Sequence, residues 1–198
     1  MKTIYLASNS KARRELLKSL GLKFKILPSK VKEKRSAKGI SYAGLVKVNA
    51  RNKAKDIAAK VEEGIIIAAD TIMVQDGKIF GKPKDLKAAK QMLKIMSDRP
   101  QQVYTGIAVI RKDKGASRDK EKMQLDYEKT TVFMDKLTGK EIDNYFKKVS
   151  PLDKAGSFDI QGRGAFFIRR INGCFYNVVG LPLRKLYLML KTLDPQLF

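Results

Sequence analysis

The stretch IIIAADTIMV, residues 65–74, decides the fold. An almost continuous apolar run of this length, without alternation, is typical of a strand buried on both faces at the centre of a sheet. Asp70 interrupts the run, and strand-forming residues resume directly after it. A carboxylate among buried residues has to be paired or to ligate a metal, because its desolvation is costly. We therefore interpret Asp70 as a functional residue rather than as a structural cap at a strand end.

The segments around this strand show further strand and helix patterns. Apolar β-formers predict strands at residues 3–7, 24–27, 78–80, 102–110, 122–134 and 165–171. Apolar residues at helical spacing predict helices at residues 13–20, 42–61, 86–96, 138–149 and 183–193, the fourth with a capping-box pattern at Thr138 and Glu141. We predict an α/β fold, with a mixed, strongly twisted sheet flanked by helices around a central cleft, in one domain spanning residues 1–198.

The composition excludes several kinds of chemistry. The 198-residue chain has no histidine and one cysteine, Cys174. It therefore lacks Ser-His-Asp or Cys-His catalysis, an intramolecular disulfide and a cysteine-rich metal site. Catalysis must use carboxylates, lysine, arginine, hydroxyls or a metal ion held by oxygen ligands. No segment reaches the roughly 18 apolar residues of a membrane span, and the start lacks a signal-peptide pattern, so we expect a cytoplasmic protein.

The charge balance favours anionic partners. The chain carries 42 Lys and Arg residues against 20 Asp and Glu residues, a formal charge of +22. The lysines are scattered, and even the dense runs at residues 30–38 and 111–122 contain acidic residues. This pattern favours a solvated lysine surface over a nucleic-acid-binding face, which stays the alternative from a different functional class.

Two segments offer groups suited to phosphate. In the first, a strand runs into a helix through residues 8–14, Ser-Asn-Ser-Lys-Ala-Arg-Arg, where backbone N–H groups and Arg13 favour an anion. An ordinary helix cap with solvated arginines is the alternative reading. In the second, Gly81 and Pro83 fix a tight loop that presents Lys82, although a lysine in a turn is usually only solvated.

An irregular loop at residues 153–164 offers a group suited to a nucleobase. It contains three glycines, and Gln161 can both donate and accept hydrogen bonds. A merely flexible loop is the alternative. With Asp70 and Glu33 as candidate metal ligands or bases, these groups predict a site for a small anionic nucleotide rather than a duplex.

Motifs along most of the chain, from residue 4 to about 190, resemble those of the Maf nucleotide pyrophosphatases. They are the segments at residues 6–17 (LASNSKARRELL), 69–72 (ADTI), 81–83 (GKP), 105–109 (TGIAV), 153–156 (DKAG), 160–162 (IQG) and 177–182 (NVVGLP). The resemblance implies hydrolysis of a nucleoside triphosphate between the α and β phosphates. It also implies a divalent metal, Mg²⁺ or Mn²⁺, a homodimer, and a fold similar to that of the inosine-triphosphate pyrophosphatases.

The resemblance also implies roles for individual residues. Asp70 matches the general base of the family. The positions implicated around phosphates and metal are Ser8, Arg13, Glu33, Lys53 and Lys82, with Glu33 and Asp70 as the metal ligands. These assignments suit the chemistry, because attack of water on phosphorus needs a carboxylate, and the developing negative charge needs cations.

Three positions bear on the nucleotide. Thr71 and Gln161 resemble the dTTP/UTP branch of the family, whereas the 7-methyl-GTP branch, which stays the alternative, differs at both. Ala12 stands where the dTTP/UTP branch usually has arginine and the other branch tryptophan, and Asp159 replaces a common glycine. The dTTP/UTP branch implies clearance of modified pyrimidine triphosphates, or a link to septum formation and division arrest.

Overall fold

The computed structural model describes residues 2–115, 121–152 and 154–197. Its strands are β1 (Ile4–Leu6), β2 (Phe24–Ile26), β3 (Gly64–Gln75), β4 (Lys78–Phe80), β5 (Pro100–Lys112), β6 (Lys122–Met134) and β7 (Ile168–Asn172). Its α-helices are α1 (Lys11–Ser19), α2 (Tyr42–Ala58), α3 (Leu86–Met96), α4 (Gly139–Phe146), α5 (Phe175–Val179) and α6 (Leu183–Leu193). Short 3₁₀ helices lie at Ala155–Ser157, Arg163–Phe166 and Pro195–Leu197.

The strands of the described residues form one mixed sheet in the order β2-β1-β3-β5-β6-β7, with β4 paired to β3. β1 pairs in parallel with both β2 and β3, so that Ile4 lies opposite Ile65. β4 and β7 pair antiparallel with β3 and β6. The predicted α/β class with a mixed sheet is therefore confirmed, and the quoted stretch lies inside the buried strand β3.

The chain divides into two compact units. Unit 1 comprises residues 1–70, 105–128 and 180–198, and unit 2 comprises residues 71–104 and 129–179, so far as these are described. In unit 1, α2 packs directly on β5, because a Cβ added at Gly106 would lie 2.3 Å from the carbonyl oxygen of Val46. In unit 2, the core includes Leu93, Tyr145 and Phe167.

The helices predicted at residues 42–61 and 138–149 end earlier in the structure, at Ala58 and at Phe146. The capping box at Thr138 and Glu141 is present, with both reciprocal hydrogen bonds. No helix of the described residues is long and apolar enough to cross a membrane.

The strand predicted at residues 165–171 is wrong over its first part, where the chain forms the 3₁₀ helix Arg163–Phe166 and β7 begins at Ile168. A local side chain explains the difference. The carboxylate of Asp159 accepts hydrogen bonds from the backbone N–H groups of Gly162, at 3.0 Å, and Gly164, at 3.5 Å. These bonds curl the segment before an extended conformation can start.

Candidate active site

Asp70 lies on β3 in unit 1 and is only 5% exposed. Its two carboxylate oxygens are held by two side chains of α2. The Lys53 ammonium lies 2.8 Å from Oδ1, and the Asn49 amide donates to Oδ2 at 2.8 Å. Because residues four apart lie on one face of a helix, α2 presents both donors to Asp70 together. The buried carboxylate is therefore paired, as its position in an apolar strand requires.

Lys53 joins Asp70 to Glu33. Its ammonium lies 2.6 Å from Oε1 of Glu33 and donates to the carbonyl oxygen of Ala69 at 3.3 Å, in addition to Asp70. The Glu33 side chain is 46% exposed, whereas the Asp70 side chain is 6% exposed. One ammonium therefore bridges a buried carboxylate and a solvent-accessible one.

Arg13 reaches the same part of unit 1 from the first turn of α1, which begins after the N-cap Ser10. Its Nε donates to the carbonyl oxygen of Gly180 at 2.8 Å. Its Nη1 lies 3.0 Å from the carbonyl oxygen of Ala69 and 3.3 Å from the hydroxyl of Ser8. Burial lowers the pKa of Arg13 from its ordinary value, while the charges of Asp70 and Glu33 act in the opposite direction. Ala69 therefore accepts hydrogen bonds from both Arg13 and Lys53.

Asn49 was missed by the sequence reasoning. It is 3% exposed, and it exchanges two hydrogen bonds with the backbone of Lys34, each at 2.9 Å. The sequence feature that could have identified Asn49 is its spacing, because it lies four residues before Lys53 and therefore on the same face of the predicted helix. The segment that Asn49 holds through Lys34 lines an open pocket of about 620 Å³ with Val31, Lys32, Glu33 and Arg35.

The structure thus brings together Ser8, Arg13, Glu33, Lys53 and Asp70, all in unit 1. We call these five residues with Asn49 the Asp70 cluster. Ala12 lies half-buried in the first turn of α1, directly before Arg13. The side chain of Ala12 is a methyl group, which has no hydrogen-bonding atom.

The remaining predicted site residues, Thr71, Lys82 and Gln161, belong to unit 2. Thr71 follows Asp70 on β3 and is half-buried, whereas Lys82 and Gln161 are exposed. The loop that carries Lys82 meets the 3₁₀ helix Ala155–Ser157, because the N–H of Gly156 donates to the carbonyl oxygen of Gly81 at 3.2 Å. Asp153, in the predicted motif at 153–156, lies outside the described residues.

Comparison with known proteins identifies the family to which this chain belongs. The sequence profile described as "Maf-like protein" matches residues 3–193, nearly the whole chain. The chain belongs to the Maf-like family. Its membership agrees with the resemblance found along the sequence motifs.

Relatives of this Maf-like protein carry a specific name. Proteins named "dTTP/UTP pyrophosphatase" from Carboxydothermus hydrogenoformans and Bacillus cytotoxicus are each 43% identical to it. The alignments cover 93% and 98% of this chain, and 95% and 97% of those proteins. A third protein of that name, from Pelotomaculum thermopropionicum, is 44% identical, with 96% of each chain covered.

A solved nucleoside-triphosphatase, named as a dITP/XTP pyrophosphatase from Mycobacterium abscessus, aligns at 16% identity. The alignment covers 66% of the Maf-like chain and 72% of the other chain, with a TM-score of 0.34. A TM-score this low supports no comparison of the two folds. The predicted likeness to inosine-triphosphate pyrophosphatases therefore stays a prediction.

The donor set of the Maf-like protein fits a divalent metal. Glu33 and Asp70 both contact the ammonium of Lys53, at 2.6 Å and 2.8 Å, so the two carboxylates lie close enough to share one cation. Mg²⁺ binds through one or two carboxylates together with water and substrate phosphates, and needs no larger protein cage. The described residues contain no cluster of three or more His, Cys, Asp or Glu side chains suited to a metal. Among the described residues, Glu33 and Asp70 are therefore the carboxylates that would hold it.

Proposed function

We propose that this Maf-like protein is a dTTP/UTP pyrophosphatase. It hydrolyses the bond between the α and β phosphates and releases a nucleoside monophosphate and pyrophosphate. The observation that carries the proposal is the buried Asp70, held by Lys53 and Asn49 beside Arg13. The name shared by relatives at 43–44% identity over nearly the full length supports the substrate.

Asp70 is the residue that accepts the proton from the attacking water. Each carboxylate oxygen has two lone-pair directions, and in the described part of the chain one donor engages each oxygen. The second direction on each oxygen can therefore receive a proton. Because Lys53 pairs with the carboxylate, Asp70 stays ionised in its buried position and can act as a general base.

Arg13 and Lys53 stabilise the negative charge that develops on the phosphates. Lys53 contacts the buried Asp70 and the carbonyl oxygen of Ala69, and it also contacts Glu33, whose side chain solvent can reach. Triphosphate can therefore compete with Glu33 for the ammonium while Lys53 keeps its contact with Asp70. Oriented cations of this kind lower the barrier because they need no reorganisation during the reaction.

A divalent metal, Mg²⁺ or Mn²⁺, would be held by Glu33 and Asp70. When bound, it would supply charge neutralisation of the phosphates and a more acidic attacking water. Ser8 is a further proposed phosphate contact in unit 1, and the proposed roles of Lys82 for phosphate and of Thr71 and Gln161 for the nucleotide rest on the sequence. The homodimer, the septum link and the effect of Ala12 on the nucleotide stay predictions.

A substrate panel tests the proposal. The protein is incubated with Mg²⁺ and dTTP, UTP, their modified forms or 7-methyl-GTP, and monophosphate and pyrophosphate are measured. We expect dTTP and UTP to be cleaved fastest. A preference for 7-methyl-GTP would contradict the assignment to the dTTP/UTP branch. If no triphosphate is cleaved, the proposed pyrophosphatase activity is wrong.

The variant Asp70→Asn tests the role of the carboxylate. We expect kcat to fall by about 10²–10⁴-fold, the usual contribution of a general base. Asp135→Asn is the matched control, because Asp135 is 52% exposed and pairs only with Arg169 at 3.6 Å in the described residues. Full activity of Asp70→Asn would contradict the assignment.

A further inference from the structure

Asn49 has no role in the chemistry described so far, yet it is one of the most buried polar residues of unit 1. It lies on the face of α2 that carries Leu45, Val46 and Ala50, which are fully buried. A buried amide in apolar surroundings is costly unless its donors and acceptor are satisfied. The contacts of Asn49 therefore need a specific explanation.

We propose that Asn49 is a positioning residue for Asp70. One amide hydrogen goes to Oδ2 of Asp70 at 2.8 Å and the other to the carbonyl oxygen of Lys34 at 2.9 Å. The amide oxygen accepts the N–H of Lys34 at 2.9 Å. A flipped amide would place its oxygen against two acceptors, so the network itself fixes the orientation.

The fixed amide determines the rotation of the Asp70 carboxylate. Lys53 holds Oδ1 and Asn49 holds Oδ2, so the carboxylate plane is defined at both oxygens. The lone pairs that can accept a proton then point in set directions. Lys53 alone would leave the carboxylate able to turn about its contact with one flexible ammonium.

The same amide also ties Asp70 to the segment that carries Glu33. Lys34 follows Glu33 directly, and Asn49 holds Lys34 by both its N–H and its carbonyl group. Asn49 therefore sets the positions of both acidic residues of the cluster. A residue that only anchored the segment at Lys34 would need its two hydrogen bonds to Lys34, and not the hydrogen bond to Asp70.

This inference rests on the proposed function, and paired variants test it. Asn49→Leu removes all three hydrogen bonds. Asn49→Asp keeps the shape and the acceptor for the Lys34 N–H, but it loses both donated bonds, to Asp70 and to the Lys34 carbonyl, and places a carboxylate oxygen against Asp70. We expect both to lower kcat for dTTP by about 10–100-fold, the usual cost of losing an outer-shell partner. KM should stay within about threefold, because substrate contacts remain.

Asn52→Leu is the matched control, on the same helix but half-buried and outside the cluster. It should keep kcat within about twofold of the wild-type value. The proposal is overturned if folded Asn49→Leu and Asn49→Asp keep wild-type kcat, or if only KM rises, as expected for a loop anchor.

Urea unfolding separates failure of this inference from failure of the proposed function. The single variants Asn49→Leu and Asp70→Ala are combined, and their effects on unfolding free energy are compared. Non-additive effects support the Asn49–Asp70 contact even if no triphosphate is cleaved. Additive effects overturn it whatever the activity.

Discussion

The Asp70 cluster and the loop at residues 159–164 hold their polar groups in opposite ways. In the Asp70 cluster, side chains from separate elements bind one another, as Asn49 and Lys53 bind Asp70. In the loop, a single carboxylate, Asp159, binds backbone N–H groups only three and five residues away. The first region depends on tertiary structure, whereas the second is built locally.

This difference indicates which substitutions each region can tolerate. In the Asp70 cluster, removing one charge leaves a buried partner unpaired, because Lys53 and Asp70 are both buried and contact each other. In the loop, hydrogen bonds to the backbone hold the shape, and the side chain of Gln161 is exposed. Substitutions of charge should therefore be severe in the cluster, and substitutions of glycine severe in the loop.

The largest effect is expected from Lys53→Met. It leaves Asp70 buried beside Glu33 without the ammonium between them. We expect a loss of about 3–5 kcal/mol in unfolding free energy, as for other broken buried pairs. Urea unfolding, followed by circular dichroism, measures it.

Lys82→Met is the control for this variant, because it removes a predicted phosphate contact at an exposed position. Its unfolding free energy should stay within about 0.5 kcal/mol of wild type. If Lys53→Met and Lys82→Met lost equal unfolding free energy, the buried pairing of Lys53 would not distinguish the Asp70 cluster from the exposed lysine of unit 2.

Gly164→Ala should have an intermediate effect. A Cβ at this position would lie 1.8 Å from the carbonyl oxygen of Asp159, so the backbone must move. We expect a loss of about 1–3 kcal/mol, the usual cost of overpacking. Gly139→Ala is the control, since its Cβ would meet no atom within 4 Å at the start of α4. Unchanged stability of Gly164→Ala would show that the loop is not fixed by its glycines.

Tyr145→Phe should have the smallest effect, about 1 kcal/mol at neutral pH, because the hydroxyl of Tyr145 accepts the N–H of Asp159 at 3.1 Å. Burial raises the pKa of Tyr145 to about 12. The folded state thus holds this proton more tightly than the unfolded state, whose tyrosine titrates near pH 10.

The stabilisation linked to this proton is complete below about pH 10 and is lost as the pH rises towards 12. Wild-type stability should therefore fall more steeply than that of Tyr145→Phe between these values. Urea unfolding at pH 9 and pH 11 compares the two slopes. Parallel slopes would mean that Tyr145 does not anchor the loop through a buried hydroxyl.

Much of the fold could be predicted because its signals are local. The apolar run of β3 indicated a central strand, and Asp70 was noticeable because it interrupts that run. The break before β7 could not be predicted in the same way. The β-formers at residues 165–171 favoured a strand, but the carboxylate of Asp159 formed a competing local turn.

The candidate site was predicted in its charged members and in Ser8, but not in Asn49. Arg13 was found through its chemistry and the family motifs, and Lys53 through the resemblance alone, but their shared acceptor was not found. That acceptor is the carbonyl oxygen of Ala69, and every residue has such a group, so no sequence pattern marks it. Asn49 was missed for a related reason, since an asparagine on a helix is usually solvated.

Because Arg13 and Lys53 share the carbonyl oxygen of Ala69, their arrangement depends on strand β3 staying folded. No side-chain substitution removes a main-chain acceptor, so the two cations lose this anchor only when the strand itself opens. β3 is buried along nearly its whole length, and such strands exchange their amide hydrogens last. The arrangement of Arg13 and Lys53 should therefore persist through the local opening events that expose loops, and disappear only with the sheet.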